Sequence, residues 1–267
     1  MKNMENMKKC LQKRKEFKRL FLGLFFTFTT LFSFSPAQGV RTIQPQILNV
    51  FPHLGKGFTQ GFEIKNQRLY EGTGLVGQSK ILITDLKTQK TIHSIELPQY
   101  FGEGITLNKN MLIQLTWKAK KAFVYQLPQL KIVDTLHYPR EGWGLTHHKN
   151  TYIMSDGSDT LFFMDKKFNT FKKIPVRYNG QPLKHLNELE YAQGSIYANI
   201  WLKSIIAEIN PKTGKVDRII DCQNLLNIEK PSPHDVLNGI AFNPHTRTFF
   251  LTGKNWKNVF EVHIPRL

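Results

Sequence analysis

Cysteine is scarce in this sequence: its 267 residues include two, Cys10 and Cys222. Cys10 lies in a basic N-terminal segment that we predict to be removed, which leaves Cys222 alone in the mature chain. A single cysteine cannot form the intramolecular disulfide that stabilises many exported proteins, so the fold must depend on its hydrophobic core. Cys222 lies among apolar residues in IIDCQNLL, which is typical of a buried, unreactive thiol.

Apolar runs long enough to span a membrane are also lacking. The run Leu20–Phe32 covers about 13 residues, whereas a spanning helix needs roughly 20. It follows a segment with eight Lys/Arg and two Glu, and small residues follow it at Ser35–Ala37. The pattern predicts a secretory signal peptide over residues 1–37 and a mature chain from about Gln38, periplasmic or extracellular and without stable membrane insertion. An uncleaved anchor is the alternative.

Acidic residues are few. The chain has 20 Asp/Glu against 37 Lys/Arg, a net charge of +17, and residues 38–267 keep 18 against 29, or +11. Such a surface favours loose association with anionic surfaces. The lysines are scattered singly along turns instead of forming a stripe, so nucleic acid is not expected as a partner.

Common catalytic motifs are missing as well. The sequence has no GxSxG, P-loop, dinucleotide fingerprint or HExxH. His147 and His148 are adjacent, so on a strand they would point to opposite faces and could not bind one metal together. The nine histidines lack a paired spacing, which argues against a zinc site built from histidine.

What the sequence does have is a repeat. No stretch after residue 40 keeps a helical period, and five segments share a turn, an apolar strand, a polar turn and a second apolar strand. Their anchor residues are 43, 40, 45 and 50 positions apart, at Gly61, Gly104, Gly144, Leu189 and Gly239. Each of the first four segments is followed by a hairpin. Four strands per repeat at this period predict an all-β fold, a five-bladed β-propeller in one domain over residues 38–267.

The fifth repeat lacks one strand, because VFEVHI alone follows Trp256. The segment Gln44–His53 at the other end of the propeller can supply it. We therefore expect the N- and C-terminal strands to pair and close the ring, which protects two open sheet edges.

Equivalent turns of propeller repeats converge at the mouth of the central channel. Each position also has a structural alternative: a turn or cap for Glu103 and the asparagines, and core packing for the tryptophans. Together they form a ring suited to a small polar ligand with an apolar wall. The first turns contribute Gln60, Glu103, Trp143, Asn187, Glu188 and Asn238, and the second-strand ends contribute Trp117, Asp156, Trp201, Lys254 and Trp256.

Ten ordered motifs resemble the plant-type and bacterial glutaminyl-peptide cyclotransferases: FTQG, TGLVGQS, FGEGITL, GWGL, SDGS, YNG, LNELEY, ANIW, DVLNGIAF and TGKNW. The resemblance covers residues 51–267. It implies a five-bladed propeller that converts an N-terminal glutamine to pyroglutamate, releases ammonia and uses no catalytic metal. In TGLVGQS, Val76 and Gln78 replace a tyrosine and an arginine of many relatives, which bears on substrate preference.

The resemblance also implies residue roles. Glu103 of FGEG would transfer protons, and Gln60, Asn187 and Lys254 would contact the substrate. The aromatic walls would be Phe101, Trp117, Trp143 and Trp201. We further expect Gly102 and Gly104 to let the substrate backbone approach Glu103 closely.

The implied partners are peptides or proteins with N-terminal glutamine, and a monomer is expected. No cofactor is expected for catalysis, although a structural calcium in the channel stays open. Two other functions remain alternatives: a non-catalytic secreted propeller that binds peptide N-termini, and a metal-dependent propeller hydrolase or lyase.

Overall fold

The computed structural model describes residues 39–55 and 57–265, so the predicted signal peptide lies outside the described residues. These residues form 23 strands and one short helix, α1 (Gln223–Glu229). The strands are β1 (Arg41–Ile43), β2 (Gln46–Pro52), β3 (Thr59–Lys65), β4 (Arg68–Thr73), β5 (Lys80–Asp85), β6 (Lys90–Glu96), β7 (Gly102–Asn108), β8 (Met111–Thr116), β9 (Lys121–Gln126), β10 (Lys131–His137), β11 (Leu145–His148), β12 (Thr151–Met154), β13 (Thr160–Met164), β14 (Thr170–Pro175), β15 (Arg177–Tyr178), β16 (Gln181–Pro182), β17 (Leu186–Ala192), β18 (Ser195–Ile200), β19 (Ile205–Ile209), β20 (Val216–Asp221), β21 (Leu237–Asn243), β22 (Thr248–Gly253) and β23 (Asn258–His263).

Five antiparallel sheets form the blades of a propeller, which confirms the predicted fold. From the inner to the outer strand they are β3-β4-β5-β6 (blade 1), β7-β8-β9-β10 (blade 2), β11-β12-β13-β14 (blade 3), β17-β18-β19-β20 (blade 4) and β21-β22-β23-β2 (blade 5). The inner strands contact one another in the closed order β3, β7, β11, β17, β21 and back to β3. The first strand of each repeat therefore lines the central channel, as the repeats predict.

Blade 5 is completed by β2, which precedes all the other strands of the five blades except β1. β2 pairs antiparallel with β23, from Gln46 opposite His263 to Pro52 opposite Asn258. The predicted closure of the ring by the two ends of the propeller is thus confirmed.

The hydrophobic core is divided among the blade interfaces. Five buried apolar clusters occur, one between each pair of neighbouring blades. Between blades 5 and 1, for example, Phe62 and Leu69 pack against Phe250 and Val259. The outermost strands of blades 1, 2, 3 and 5 are largely exposed, whereas β20 of blade 4 is mostly buried. Since Cys222 is free and buried, packing between blades stabilises the ring.

Glycines allow the inner strands of blades 1 to 3 to approach each other closely. A Cβ on Gly61 would lie 2.3 Å from the nitrogen of Ile105, and one on Gly144 would lie 2.0 Å from the oxygen of Asn187. Both atoms belong to the next blade of the ring. Any other side chain there would push neighbouring blades apart.

Four elements were not predicted: β1, helix α1, and the strands β15 and β16, which pair as a separate hairpin between blades 3 and 4. β1 adds a fifth strand, parallel to β20, at the outer edge of blade 4. Helix α1 follows the same blade, and its Glu229 accepts hydrogen bonds from the backbone nitrogens of Lys257 and Asn258. No helix within the described residues is both long and apolar enough to cross a membrane.

Candidate active site

β-Bulges occur at the mouth ends of four inner strands. The pairing register shifts between Thr59 and Gly61, Gly102 and Ile105, Leu186 and Leu189, and Leu237 and Ile240. A bulge turns a side chain away from the regular alternation of a strand. The residues inside these four bulges include Gln60, Glu103, Asn187 and Asn238.

A cavity of about 280 Å³ opens at this end of the channel. Pockets for small ligands usually measure roughly 300–1,000 Å³, so this one is small and suits a single residue better than a long segment. All eight residues to which the family resemblance gives a role line this cavity, and Phe58 lines it too. The lining residues are Phe58, Gln60, Phe101, Glu103, Trp117, Trp143, Asn187, Trp201 and Lys254.

Other members of the wider ring lie elsewhere. Trp256 is fully buried against Gly253, so it belongs to the core. Glu188 accepts hydrogen bonds from the backbone nitrogens of Phe62 and Ile240, which ties blade 4 to blades 1 and 5. Asp156 accepts a bond from the nitrogen of Ser158 within its own turn.

The polar residues form the buried floor of the cavity. Glu103, Gln60, Asn187 and Lys254 each expose 5% or less of their surface. The Oε1 atom of Gln60 accepts a hydrogen bond of 3.2 Å from Nδ2 of Asn238, whose amide also donates to the Thr59 carbonyl. Gln60 can therefore offer its amide N–H groups to a ligand.

Glu103 has unusual electrostatics. Burial raises the pKa of its carboxyl group well above the usual value, Lys254 opposes this, and Glu141 adds to it. Within the described residues, Oε2 of Glu103 is buried without a hydrogen-bond partner. Burial lowers the pKa of Lys254 to about 8, and attraction to Glu103 opposes that shift.

Aromatic rings form the walls in a chain of edge contacts. Ring centroids are 6.1 Å apart for Phe58 and Phe101 and 5.4 Å apart for Phe101 and Trp117. Trp143 and Trp201 form a second pair, which meets edge to face at 5.6 Å. These rings are partly exposed, so the site has an apolar rim above a polar floor.

From the sequence we expected the glycines beside Glu103 to let the substrate approach closely. The structure gives them a different role. A Cβ on Gly102 would lie 2.5 Å from Nε2 of Gln114. A Cβ on Gly104 would lie 2.6 Å from the nitrogen of Leu145 in blade 3. The protein itself fills both spaces, so these glycines are required for packing within and between blades.

Glu141 was missed by sequence reasoning. Its Oε2 atom accepts hydrogen bonds from the indole nitrogens of Trp117 at 2.7 Å and Trp143 at 3.2 Å. Phe58 was missed too, although it is the first residue of the FTQG motif; the centroid of its ring lies 4.5 Å from Nζ of Lys254. Neither Glu141 nor Phe58 was among the repeat positions from which the ring was assembled.

The model of the family described as glutamine cyclotransferase matches residues 23–264 of the sequence. The chain belongs to the glutamine cyclotransferase family. A glutaminyl-peptide cyclotransferase of Arabidopsis thaliana is 37% identical over 233 residues, which are 85% of this chain and 73% of the relative.

One solved structure agrees with this membership of the glutamine cyclotransferase family, and a second agrees with the fold. The crystal structure of Myxococcus xanthus glutaminyl cyclase superposes with a TM-score of 0.79 and 34% identity, over 85% of this chain and 98% of that one. The β-propeller domain of Myceliophteria thermophila Cps50 (Swd1) matches with a TM-score of 0.50 at 8% identity, over 83% of this chain and 100% of that one. The second match shows the fold alone.

Proposed function

We propose that the protein is a glutaminyl-peptide cyclotransferase, which converts the N-terminal glutamine of peptides or proteins to pyroglutamate and releases ammonia. Membership of the family supports this activity. The observation that carries it is Oε2 of Glu103, which is buried at the floor of a small aromatic pocket and has no hydrogen-bond partner in the described part of the chain. A buried acceptor without a partner is costly, and an amine of the substrate would satisfy it.

The chemistry requires orientation and proton transfer. The α-amine attacks the side-chain amide carbon of the same residue, a five-membered ring forms, and the C–N bond to the leaving nitrogen breaks. Because both reactants are already tethered, no nucleophile from the protein is needed. A free α-amine has a pKa of about 7.7–8.0, so much of it is protonated at neutral pH and must lose a proton before it attacks.

Glu103 is the proposed group for both proton steps. It takes a proton from the attacking amine and passes it to the nitrogen that leaves as ammonia. Burial brings the pKa of the Glu103 carboxyl group closer to the pKa of the amine, which makes proton transfer easier in both directions.

The remaining floor residues would hold the amide. The amide groups of Gln60 and Asn187 and the ammonium of Lys254 can donate to the carbonyl oxygen as negative charge develops on it. One such donor is worth about 2.7–4 kcal/mol in the transition state. Phe101, Trp117, Trp143 and Trp201 would exclude water and enclose the glutamine side chain. No cofactor is proposed for catalysis.

Ammonia release from a peptide with N-terminal glutamine, followed together with peptide mass, tests the function. Wild type should release ammonia in step with pyroglutamate formation, and Glu103→Gln should be slower by about 10²-fold or more. Glu96→Gln, an exposed change on the outermost strand of blade 1, is the matched control. Peptide binding without ammonia release by wild type would favour a binding module instead. Loss of activity in chelator, with the fold intact, would favour a metal-dependent enzyme.

We also propose that the protein is exported and acts as a monomer. The basic segment, the apolar run and the small residues at Ser35–Ala37 support export. Val76 and Gln78 are both exposed in the turn between β4 and β5, which supports an effect on substrate preference. Cell fractionation with N-terminal sequencing, and light scattering, test export and oligomeric state respectively.

A further inference from the structure

One carboxylate oxygen joins two of the indole rings that line the pocket. Trp117 follows β8 in blade 2 and Trp143 precedes β11 in blade 3, and both indole nitrogens donate to Oε2 of Glu141 at 2.7 and 3.2 Å. Glu141 does not line the cavity. It therefore reaches the pocket through the two indoles.

The two indoles need an external restraint. Trp117 packs on Phe101 and Trp143 packs on Trp201, at centroid distances of 5.4 and 5.6 Å. Such contacts allow sliding, whereas hydrogen bonds to an ionised acceptor are short and directional. Gly157 shows how closely this wall is held, because a Cβ there would lie 2.7 Å from the Trp143 ring.

We propose that Glu141 is a positioning residue, which holds Trp117 and Trp143 together as one wall of the substrate pocket. The proposal rests on the proposed cyclotransferase function, since it concerns the wall that would enclose the glutamine side chain. The carboxylate of Glu141 has a second effect, because its negative charge also acts on Glu103.

The groups that act electrostatically on Glu103 come from different blades. Lys254 of blade 5 lowers the pKa of Glu103, and the carboxylate of Glu141 raises it. The phenol of Tyr138 is also within range of Glu103. Removing the charge of Glu141 while keeping its oxygen should therefore lower the pKa of Glu103.

Two variants separate the two effects. Glu141→Ala removes the acceptor and the charge, and misplacement of a positioning element by about 1 Å can cost on the order of 10²-fold. We expect kcat/KM to fall by about that factor, mostly through KM. Glu141→Gln keeps one oxygen for both indoles, so its KM should stay within about threefold of wild type. The acid limb of its kcat/KM profile should move to lower pH.

The double variant Trp117→Phe/Trp143→Phe provides the matched background, because it keeps aromatic walls but removes both donors. There, Glu141→Ala should cost less than about threefold, since residues in one network are not additive. Glu96→Gln should behave as wild type in every measurement. If Glu141→Ala does not fold, the double variant replaces it, and it should itself show the rise in KM.

Acrylamide quenching of tryptophan fluorescence in substrate-free protein gives a readout independent of turnover. Quenching should increase in Glu141→Ala and remain at the wild-type level in Glu141→Gln and Glu96→Gln. Equal losses in Glu141→Ala and Glu141→Gln, an undiminished loss in the double-variant background, or unchanged quenching would each overturn the proposal. If wild type released no ammonia, the proposed function would fail, and the quenching result would still decide whether Glu141 holds the indoles.

Discussion

Glu103 and Lys254 reach the same cavity from blades 2 and 5, and each shifts the titration of the other. Attraction to Lys254 opposes the rise that burial causes in the pKa of Glu103, and Glu103 opposes the fall in the pKa of Lys254. Because one partner belongs to FGEG and the other to TGK, the pair exists only when the second and fifth blades are both in place. The pair makes the pH dependence of the reaction predictable in sign.

Lys254→Met removes the positive charge that stabilises ionised Glu103. The pKa of Glu103 should then rise, so the acid limb of the kcat/KM profile should move to higher pH, opposite to the shift expected for Glu141→Gln. Loss of the donor should also lower kcat by about 10²–10³-fold. The pH profile of ammonia release measures both effects, with Lys90→Met on the exposed strand β6 as control. An unmoved acid limb would show that Lys254 does not act on Glu103.

Gly104→Ala should destabilise the ring at the interface of blades 2 and 3. The new methyl group would lie within 2.6–2.8 Å of backbone atoms of residues 143–145, and overpacking of this kind typically costs about 1–3 kcal/mol. Urea unfolding measures the loss. Gly39→Ala, where a Cβ meets nothing within 4 Å, is the control. Equal stability of both variants and wild type would disprove close packing at this glycine.

A buried ion pair between His53 and Glu71 should make stability depend on pH. The ring nitrogens of His53 face two acceptors: Nδ1 lies 2.9 Å from the Trp256 carbonyl and Nε2 lies 3.0 Å from the Glu71 carboxylate. Burial lowers the pKa of His53, but attraction to Glu71 and its hydrogen bonds outweigh this and leave it raised above 6.5. Burial likewise raises the pKa of Glu71, but His53 and Thr59 outweigh it and leave it lowered below 4.5.

The contribution of the raised histidine is complete below pH 6.5 and is lost as pH rises through its folded pKa. The contribution of the lowered glutamate is complete above pH 4.5 and is lost as pH falls through its folded pKa. His53→Leu should therefore cost most between these two values, about 3–5 kcal/mol for breaking a buried pair. Urea midpoints at pH 5.5 and pH 9 measure it. A cost that does not shrink at pH 9 would contradict the charged pair.

Cleavage after Ala37 would leave Gln38 at the N-terminus as a substrate of this enzyme. Val40 is bonded to Asn179, and β1 lies four strands outward from β17, a separation of about 19 Å at the usual strand spacing. We therefore expect the conversion to take place between molecules. Mass spectrometry should find Gln38 unmodified in Glu103→Gln and converted to pyroglutamate after wild-type enzyme is added. Blocking in the isolated variant at the wild-type level would contradict this prediction.

The blade count and the closure of the ring could be predicted because both follow from the regular repeat of strands and turns along the sequence. Each inner strand opens with a similar turn, and the missing strand of the fifth repeat left one place for Gln46–Pro52. Helix α1 could not be predicted because seven residues are too few to show a helical period. β1 is three residues long and pairs in parallel with a distant strand, a contact that no local pattern reveals.

The members of the pocket were predictable as residue types at equivalent positions, but their orientation was not. A β-bulge depends on how two strands pair, so the sequence of β7 alone could not show that Glu103 lies inside one. The glycines of FGEG were misread for a related reason, because the atoms that crowd Gly104 come from the next blade. Glu141 has no counterpart at the repeat positions compared, so periodicity gave it no weight.

The pairing of β2 with β23 also determines when the ring can close during synthesis. A ribosome releases β2 before blades 1 to 4 and β23 after them, so the ring stays open while these blades are synthesised. Lys254 lies in the last of these blades and only a few residues before β23. A nascent chain therefore contains Glu103 before it contains the lysine that modulates it, and the cavity cannot be complete until blade 5 has been synthesised.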